Sequence, residues 1–478
     1  MNLPFLPVLL WSDALVWLLA LGGAALAGAS WRNPRSRAAW RRVGASRAGM
    51  AAATVLAAFA AVGLLDSLHY RPRLADSEPG RPAVYAVEVL SALDALASPL
   101  RRSAEKTYSA PLATRAYAKE TMEIADSAGR LRTVRDFPRL RHGGAHLGEN
   151  EAGRGADVLR RALAAAAAAL VLFGALGWAA AAALARRTGL SAGRVWREIW
   201  RGETRFAWNA ALAAAGALLL VGLPLLALCG DYHVFGTDKV GQDVFYQILK
   251  SVRTALVIGL VTTLTTLPLA IGLGVAAGYF RGWVDDAIQY LYTTLSSIPG
   301  VLLIAAAVLM MQVVIDTHPQ WFATAAERAD LRLLALCFIL GLTSWTGLCR
   351  LLRGETLKLR ELEYIQAAQA FGVASAAILR RHVLPNLMHI VVIALVMDFS
   401  GLVLAEAVLS YVGIGVDPTM VSFGTMINNA RMELSREPAV WWSLMSAFVF
   451  MFALVLAANL LADAVRDAFD PRMGNGED

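Results

Sequence analysis

The chain has 478 residues, of which 57% are hydrophobic and only 17% charged, and it carries a formal net charge of +7. Such apolarity excludes an ordinary soluble globular protein, since several runs reach the roughly 20 residues that a helix needs to cross a bilayer. Arginines held on the cytoplasmic side of a membrane are a sufficient explanation for the positive balance, which gives no ground for nucleic-acid binding.

Nine apolar segments are expected to cross: residues 5–27, 49–65, 158–184, 206–228, 254–278, 287–311, 331–349, 388–411 and 441–461. The first is not an evident cleavable signal, because Met1-Asn2-Leu3-Pro4 lacks a positive n-region. Between the first two segments lie Arg32, Arg35, Arg37, Arg41, Arg42 and Arg47 with no acid among them, which places that loop inside. Residues 66–155 mix arginines, acids and prolines and are expected outside; residues 84–96 read as an amphipathic helix, and the remainder as either a small folded cap or an extended arm. Within it, His142-Gly143-Gly144-Ala145-His146 brings two imidazoles close together. The two glycines argue against a rigid presentation and no adjacent cysteine completes a ligand set, so a flexible loop is expected. The third segment is rich in alanine at residues 164–169 and 179–183, small side chains that let helices approach closely.

Arg186, Arg187, Arg194, Arg197, Arg201 and Arg205 mark the next loop as inside. In it Trp196, Ile199 and Trp200 share one helical face, as expected of a helix lying in the headgroup region. Beyond the seventh segment the chain reads Glu363-Tyr364-Ile365-Gln366-Ala367-Ala368-Gln369-Ala370-Phe371-Gly372 and then, nine residues on, His382-Val383-Leu384-Pro385. Residues 364–370 favour helix, and Gly372 can take the positive φ that ends a helix and turns the chain back. Residues 374–383 again read as helix, and Pro385 suits the first turn of the next span, where an N–H would be unpaired anyway. Two helices at an angle, standing proud of the membrane, are expected. Arg350, Arg353, Lys358, Arg360, Arg380 and Arg381 put this loop inside as well. One topology satisfies all three basic loops: N-terminus outside, nine crossings, C-terminus inside.

Asp398 and Glu406 are ionisable groups within a span, where charge is costly and usually faces a cavity or a partner. Eight residues apart on one helix, they point roughly 80° apart. Glu406 is expected to be structural or interfacial, whereas Asp398 either lines a pathway or satisfies a neighbouring helix. Cys229, Cys337 and Cys349 form no disulfide or zinc pattern, and no Gly-x-x-x-x-Gly-Lys-Ser/Thr occurs anywhere, so the chain cannot supply an ATPase.

The 363–385 segment resembles the coupling motif of bacterial ABC importer permeases, and four further stretches resemble the oligopeptide/dipeptide/nickel transport family, C-type subunit. These are Phe235-Gly236-Thr237-Asp238-Lys239-Val240-Gly241-Gln242-Asp243-Val244, Ala277-Gly278-Tyr279-Phe280-Arg281-Gly282-Trp283-Val284-Asp285, Leu409-Ser410-Tyr411-Val412-Gly413-Ile414-Gly415-Val416, and the run from Asn459-Leu460-Leu461-Ala462-Asp463 to Asp470-Pro471-Arg472. Gln366 and Gln242 stand where the family has Glu and Arg, so coupling is expected to be tuned rather than lost, an amide being unable to form an ion pair.

The resemblance implies an all-α polytopic membrane protein: a six-span permease core over residues 193–478, with its coupling loop at about 350–387, preceded by two spans (1–66), an extracytoplasmic polar segment (67–155) and a third additional span (156–192). It implies an inner-membrane importer subunit for peptides or a similar polar solute. The implied partners are a homologous second permease, two ATPase subunits that hold ATP and Mg, an extracytoplasmic substrate-binding protein and the lipid bilayer. The coupling residues carried over are Glu363, Gln366, Ala367, Ala368, Gly372, His382, Leu384 and Pro385. No catalytic residue, metal or cofactor is expected on this chain. A proton-coupled secondary transporter using Asp398 and Glu406 is the alternative, and it would need neither a protruding coupling loop nor an ATPase.

Overall fold

A computed structural model describes residues 5–32, 34–74, 84–125, 131–148, 151–322 and 324–469; Asp470, Pro471 and Arg472 of the C-terminal signature lie outside the described residues. In chain order the elements are β1 (Phe5–Val8), α1 (Trp11–Arg32), α2 (Pro34–Ala45), α3 (Arg47–Asp66), β2 (His69–Pro72), β3 (Leu90–Ser91), α4 (Ala92–Leu96), α5 (Ser98–Arg102), β4 (Glu120–Ala125) and β5 (Leu131–Asp136). There follow α6 (Arg154–Thr188), α7 (Ala192–Arg201), α8 (Trp208–Leu228), α9 (Val244–Phe280), α10 (Trp283–Ser297), α11 (Gly300–Thr317), α12 (Ala325–Arg360), α13 (Glu363–Ala370), α14 (Ser375–Ile378), α15 (Leu384–Val412), α16 (Phe423–Arg431) and α17 (Trp442–Phe469). Among the described residues, eight helical stretches are long and apolar enough to cross a membrane, those of α3, α6, α8, α9, α11, α12, α14 through α15, and α17. The protein is an all-α polytopic membrane protein with a small β-containing segment.

Four expected elements differ. The segment 5–27 is not one helix: Phe5–Val8 pairs antiparallel with His69–Pro72, and α1 begins only at Trp11, with a shorter apolar stretch, Trp11–Ala25, than the eight spans have. The segment 287–311 is broken where Ile298 takes extended backbone (φ −90°, ψ 132°), the conformation that a following proline, here Pro299, imposes. The helix expected over 84–96 is confined to Ala92–Leu96, because Leu90 and Ser91 pair with Tyr70 and His69. Finally, no break separates residues 374–383 from the next span: Ser375–Ile378 is α-helical, Leu379–Val383 is wound as π-helix, and α15 continues from it.

Among the described residues the chain divides into two compact units. The first, drawn from residues 1–8, 44–254 and 421–457, holds the three helices α3, α6 and α8. The Ala207 N–H donates to the Gly44 carbonyl at 2.8 Å, so the starts of α8 and α3 lie at one level. At the opposite ends, the described residues between 67 and 148 form a folded cap rather than an arm. Its buried side chains include Leu93, Leu100, Tyr108 and Leu140, and β4 and β5 pair antiparallel. Ser91 and Asp94 close the start of α4 as a capping box, and Lys250 reaches Asp66 at 2.7 Å and Asp94 at 3.2 Å. Because β1 pairs beyond the end of α3 while Gly44 lies at its start, the chain travels the length of α3, about 30 Å, between residues 8 and 44.

The second unit, drawn from residues 9–43, 255–420 and 458–478, is built on α9 and α12. A β-carbon at Gly274 would stand 2.7 Å from the Cys349 carbonyl oxygen, and one at Gly278 2.7 Å from that of Arg353, so only glycine permits this backbone approach. The additional helix α1 docks on α12 through Ser12, whose N–H donates to Asp330 at 3.1 Å and whose hydroxyl donates to the same carboxylate.

Candidate functional site

The polar stretch 363–385 is a protruding two-helix corner in the second unit. α13 ends in a Schellman motif: the Gly372 N–H donates to the Gln369 carbonyl at 3.0 Å, the Val373 N–H donates to the Ala368 carbonyl at 3.1 Å, and Gly372 has φ +75°. Glu363, Gln366, Ala367, Gly372 and Pro385 are exposed, while Ala368, His382 and Leu384 are half-buried.

What holds the corner in place is apolar. Ile365, Ile378 and Val383 are fully buried in one cluster with Tyr279, Trp345, Cys349 and Leu352, which belong to α9 and α12. Burying three such side chains is worth roughly 1.5–3 kcal/mol each, so the corner and the helices beneath it form one packed body. Polar ties add direction. Gln369 donates to the Tyr279 hydroxyl at 3.3 Å, Asn386 to the Tyr364 hydroxyl at 3.2 Å, and the Arg353 guanidinium grips Asp285 with two bonds of 2.5 and 2.7 Å. That guanidinium holds the Asp285 carboxyl below the usual carboxylate range. Gln366, the departure from the family pattern, donates at 3.2 Å to the Glu361 backbone carbonyl, a bond no carboxylate would make.

Two features escaped sequence reasoning. Phe371 is 89% exposed, an aromatic ring left open to its surroundings beside the turn. Its signal was its place beside the turn glycine, where neither neighbour can shelter it. The anchors Ile365 and Ile378 were also missed, although their flanking by polar residues on an alanine-rich helix marks a single inward row.

Asp398 is half-buried on α15, and among the described residues no side chain bonds to it. Glu406, by contrast, is 1% exposed and accepts the Ser410 hydroxyl at 2.6 Å. A β-carbon at Gly415 would collide with that Ser410 hydroxyl, so the Leu409–Val416 signature is a folded-back helix end, with Gly413 at φ +89°. The structure therefore does not bring Asp398 and Glu406 together.

In the first unit, the Gly-Thr-Asp signature is clamped by the cap. His233 faces Asp243 at 2.8 Å and Glu105 at 3.4 Å, all three side chains being nearly inaccessible. Glu105 also accepts the backbone N–H groups of Arg141, His142 and Gly143 at 2.8, 2.7 and 3.0 Å. Burial alone would raise its pKa, but His233 and these three donors hold the carboxyl down at about 2. Burial alone would lower His233, yet the two carboxylates raise it to about 9. Of the two imidazoles noted in the sequence, His146 lies 2.8 Å from Asp157, while His142 contributes its backbone to the clamp.

The family described as "Binding-protein-dependent transport system inner membrane component" matches residues 270–475. Among curated proteins, the chain is 32% identical to the glutathione transport system permease protein GsiD of Pectobacterium atrosepticum, over 58% of this chain and 91% of that protein. It is likewise 32% identical to the oligopeptide transport system permease protein OppC of Mycobacterium tuberculosis, over 52% of this chain and 78% of that one. A solved structure of the MetNI methionine ABC transporter in inward facing conformations aligns at 16% identity over 47% of this chain and 97% of that chain, with a TM-score of 0.36, too low to bear on the fold.

Proposed function

This chain belongs to the binding-protein-dependent transport family as a membrane permease subunit of an ABC importer, and we propose that it carries peptides inward, driven through the corner at 363–385 by ATPase subunits. The peptide class is supported by the cargoes for which its relatives are named, glutathione and oligopeptides. Coupling is supported above all by one observation: the exposed tip Gln366–Ala367–Phe371–Gly372 stands on Ile365, Ile378 and Val383, which are buried with residues of α9 and α12. A force on the tip is then a force on the spans, since packed interiors transmit strain rather than absorb it.

In this reading Phe371 seats in an apolar groove of an ATPase subunit, Glu363 and Gln366 bond at its rim, and ATP and Mg are held by two such subunits. A homologous second permease completes the pathway and a binding protein delivers substrate outside. Asp398, lacking a partner among the described residues, is the pathway residue of choice for a peptide ammonium group; Glu406 keeps a structural role. The crossing between residues 8 and 44 supports a topology with the N-terminus outside and the C-terminus inside the inner membrane. Co-expression with the cognate ATPase subunits tests the reading. Pull-down of ATPase with the intact chain, lost on Phe371→Asp, together with ATP-dependent peptide uptake in vesicles, is the expected result; uptake without any ATPase would sink it.

A further inference from the structure

Three arginines lie where α3 begins, where α7 ends and in the link that leads to α8. Arg47 is the first residue of α3, Arg201 the last of α7, and Arg205 lies in the link to α8; all three are exposed. The Ala207–Gly44 backbone bond holds the link and the start of α3 together, and an Arg47 guanidinium nitrogen lies 3.5 Å from the β-carbon position of Gly202. Among the described residues no carboxylate pairs with any of the three, although Glu198 and Glu203 are close in sequence.

The depth of this corner is fixed by packing. α7 is amphipathic: Val195 and Ile199 are buried against Ala181 and Ala185 of α6, and Trp196 covers Gly177. α7 therefore folds back along α6 instead of lying free in the headgroups. Trp200 stands edge-on to Phe173, with centroids 6.3 Å apart, and is 45% exposed. Trp208 opens α8. Indole rings at the first turn of a span, as Trp208 is here, favour headgroup level, which would set the neighbouring guanidinium groups at that level too. Arg186 and Arg187 differ in kind, since they lie in the last turn of α6, where cations meet the carbonyl end of their own helix.

We propose that Arg47, Arg201 and Arg205 form a binding site for the phosphodiester headgroup of one anionic phospholipid, with Trp200 and Trp208 against its glycerol and upper acyl region. Guanidinium forks match phosphate oxygens in geometry and charge. Each arginine near an anionic lipid surface changes binding about fivefold, so three change it on the order of a hundredfold.

The test is native mass spectrometry of the full-length protein in mild detergent, titrated with phosphatidylglycerol, cardiolipin or phosphatidylcholine. One anionic lipid should bind above the phosphatidylcholine background. The variant Arg47→Gln/Arg201→Gln/Arg205→Gln should lose at least tenfold in affinity, whereas Arg186→Gln/Arg187→Gln/Arg194→Gln, with the same charge removed, should stay within about twofold. If the triple variant does not insert, Arg47→Gln alone should lose about fivefold. Equal losses in the two triple variants, equal binding of phosphatidylcholine, an unaffected Arg47→Gln, or displacement of the lipid by glycerol 3-phosphate would each overturn the assignment.

Discussion

Raising the pH should open the clamp between the cap and the Gly-Thr-Asp signature. His233 is raised from its ordinary 6.5 to about 9, so its folded form favours the proton. A raised pKa contributes stability that is complete below about 6.5 and lost as the pH climbs through about 9. Because both flanking side chains are nearly inaccessible, solvent screening removes little, and the shift corresponds to about 3 kcal/mol, on the order of a hundredfold in a local opening equilibrium. The amides of Arg141, His142 and Gly143, which donate to Glu105, are the reporters. Pulsed hydrogen exchange on the purified protein between pH 6 and 10, corrected for intrinsic rates, should show their protection falling by about that factor. In His233→Gln the protection should start low at pH 6 and stay flat. Constant corrected protection in the wild type, or an identical fall in the variant, would refute the reasoning.

Three other outcomes are expected. At Gly372 a β-carbon meets no atom within 4 Å, so a substitution there costs only left-handed backbone, roughly 1–2 kcal/mol and more for β-branched residues; Gly372→Val should abolish ATP-dependent uptake in vesicles while Gly372→Asn largely retains it, and normal uptake by the valine variant would contradict the turn. Asp398→Asn should impair uptake of peptides with a free ammonium terminus more than that of N-acetylated ones, and an equal effect on both would remove Asp398 from the pathway. Deleting the residues before Gly193 takes away Ser12, which bonds Asp330, and Glu105, which faces His233. The truncated chain should still insert and recruit ATPase subunits but melt at a lower temperature; correct insertion without co-purifying ATPase counts against a self-sufficient core.

Legibility in the sequence followed the range of the interaction. The Gly372 turn was readable because a Schellman motif is decided within six residues, and seven of the spans were readable because bilayer thickness imposes a length on apolar runs. Phe5–Val8 was misread as helix because its partner, His69–Pro72, lies far along the chain. Residues 84–96 failed for a related reason: helical periodicity there gave way to pairing of Leu90 and Ser91 with β2. The clamp joins Glu105 to a histidine 128 residues away, a separation no local pattern encodes. The break at Ile298 was masked by hydropathy, which runs unchanged through Pro299 and says nothing about backbone direction.

The unbroken passage from the π-wound segment into α15 makes that helix a rocker. Its 29 residues span about 44 Å. About 24 Å along it, the Ser400 hydroxyl donates to Asn459 of α17 at 2.6 Å, a natural fulcrum. A tilt of about 5° around that bond would shift the tip end by roughly 2 Å and swing the Gly413 end about 1.5 Å the opposite way, by the length of a straight helix. Under the proposed coupling, a push delivered at Phe371 would reach the Gly413 end of α15 reversed in sign, as opening where the near end closes. Spin-label distances from residues 384 and 412 to α17, changing in opposite directions on ATP binding, would record it.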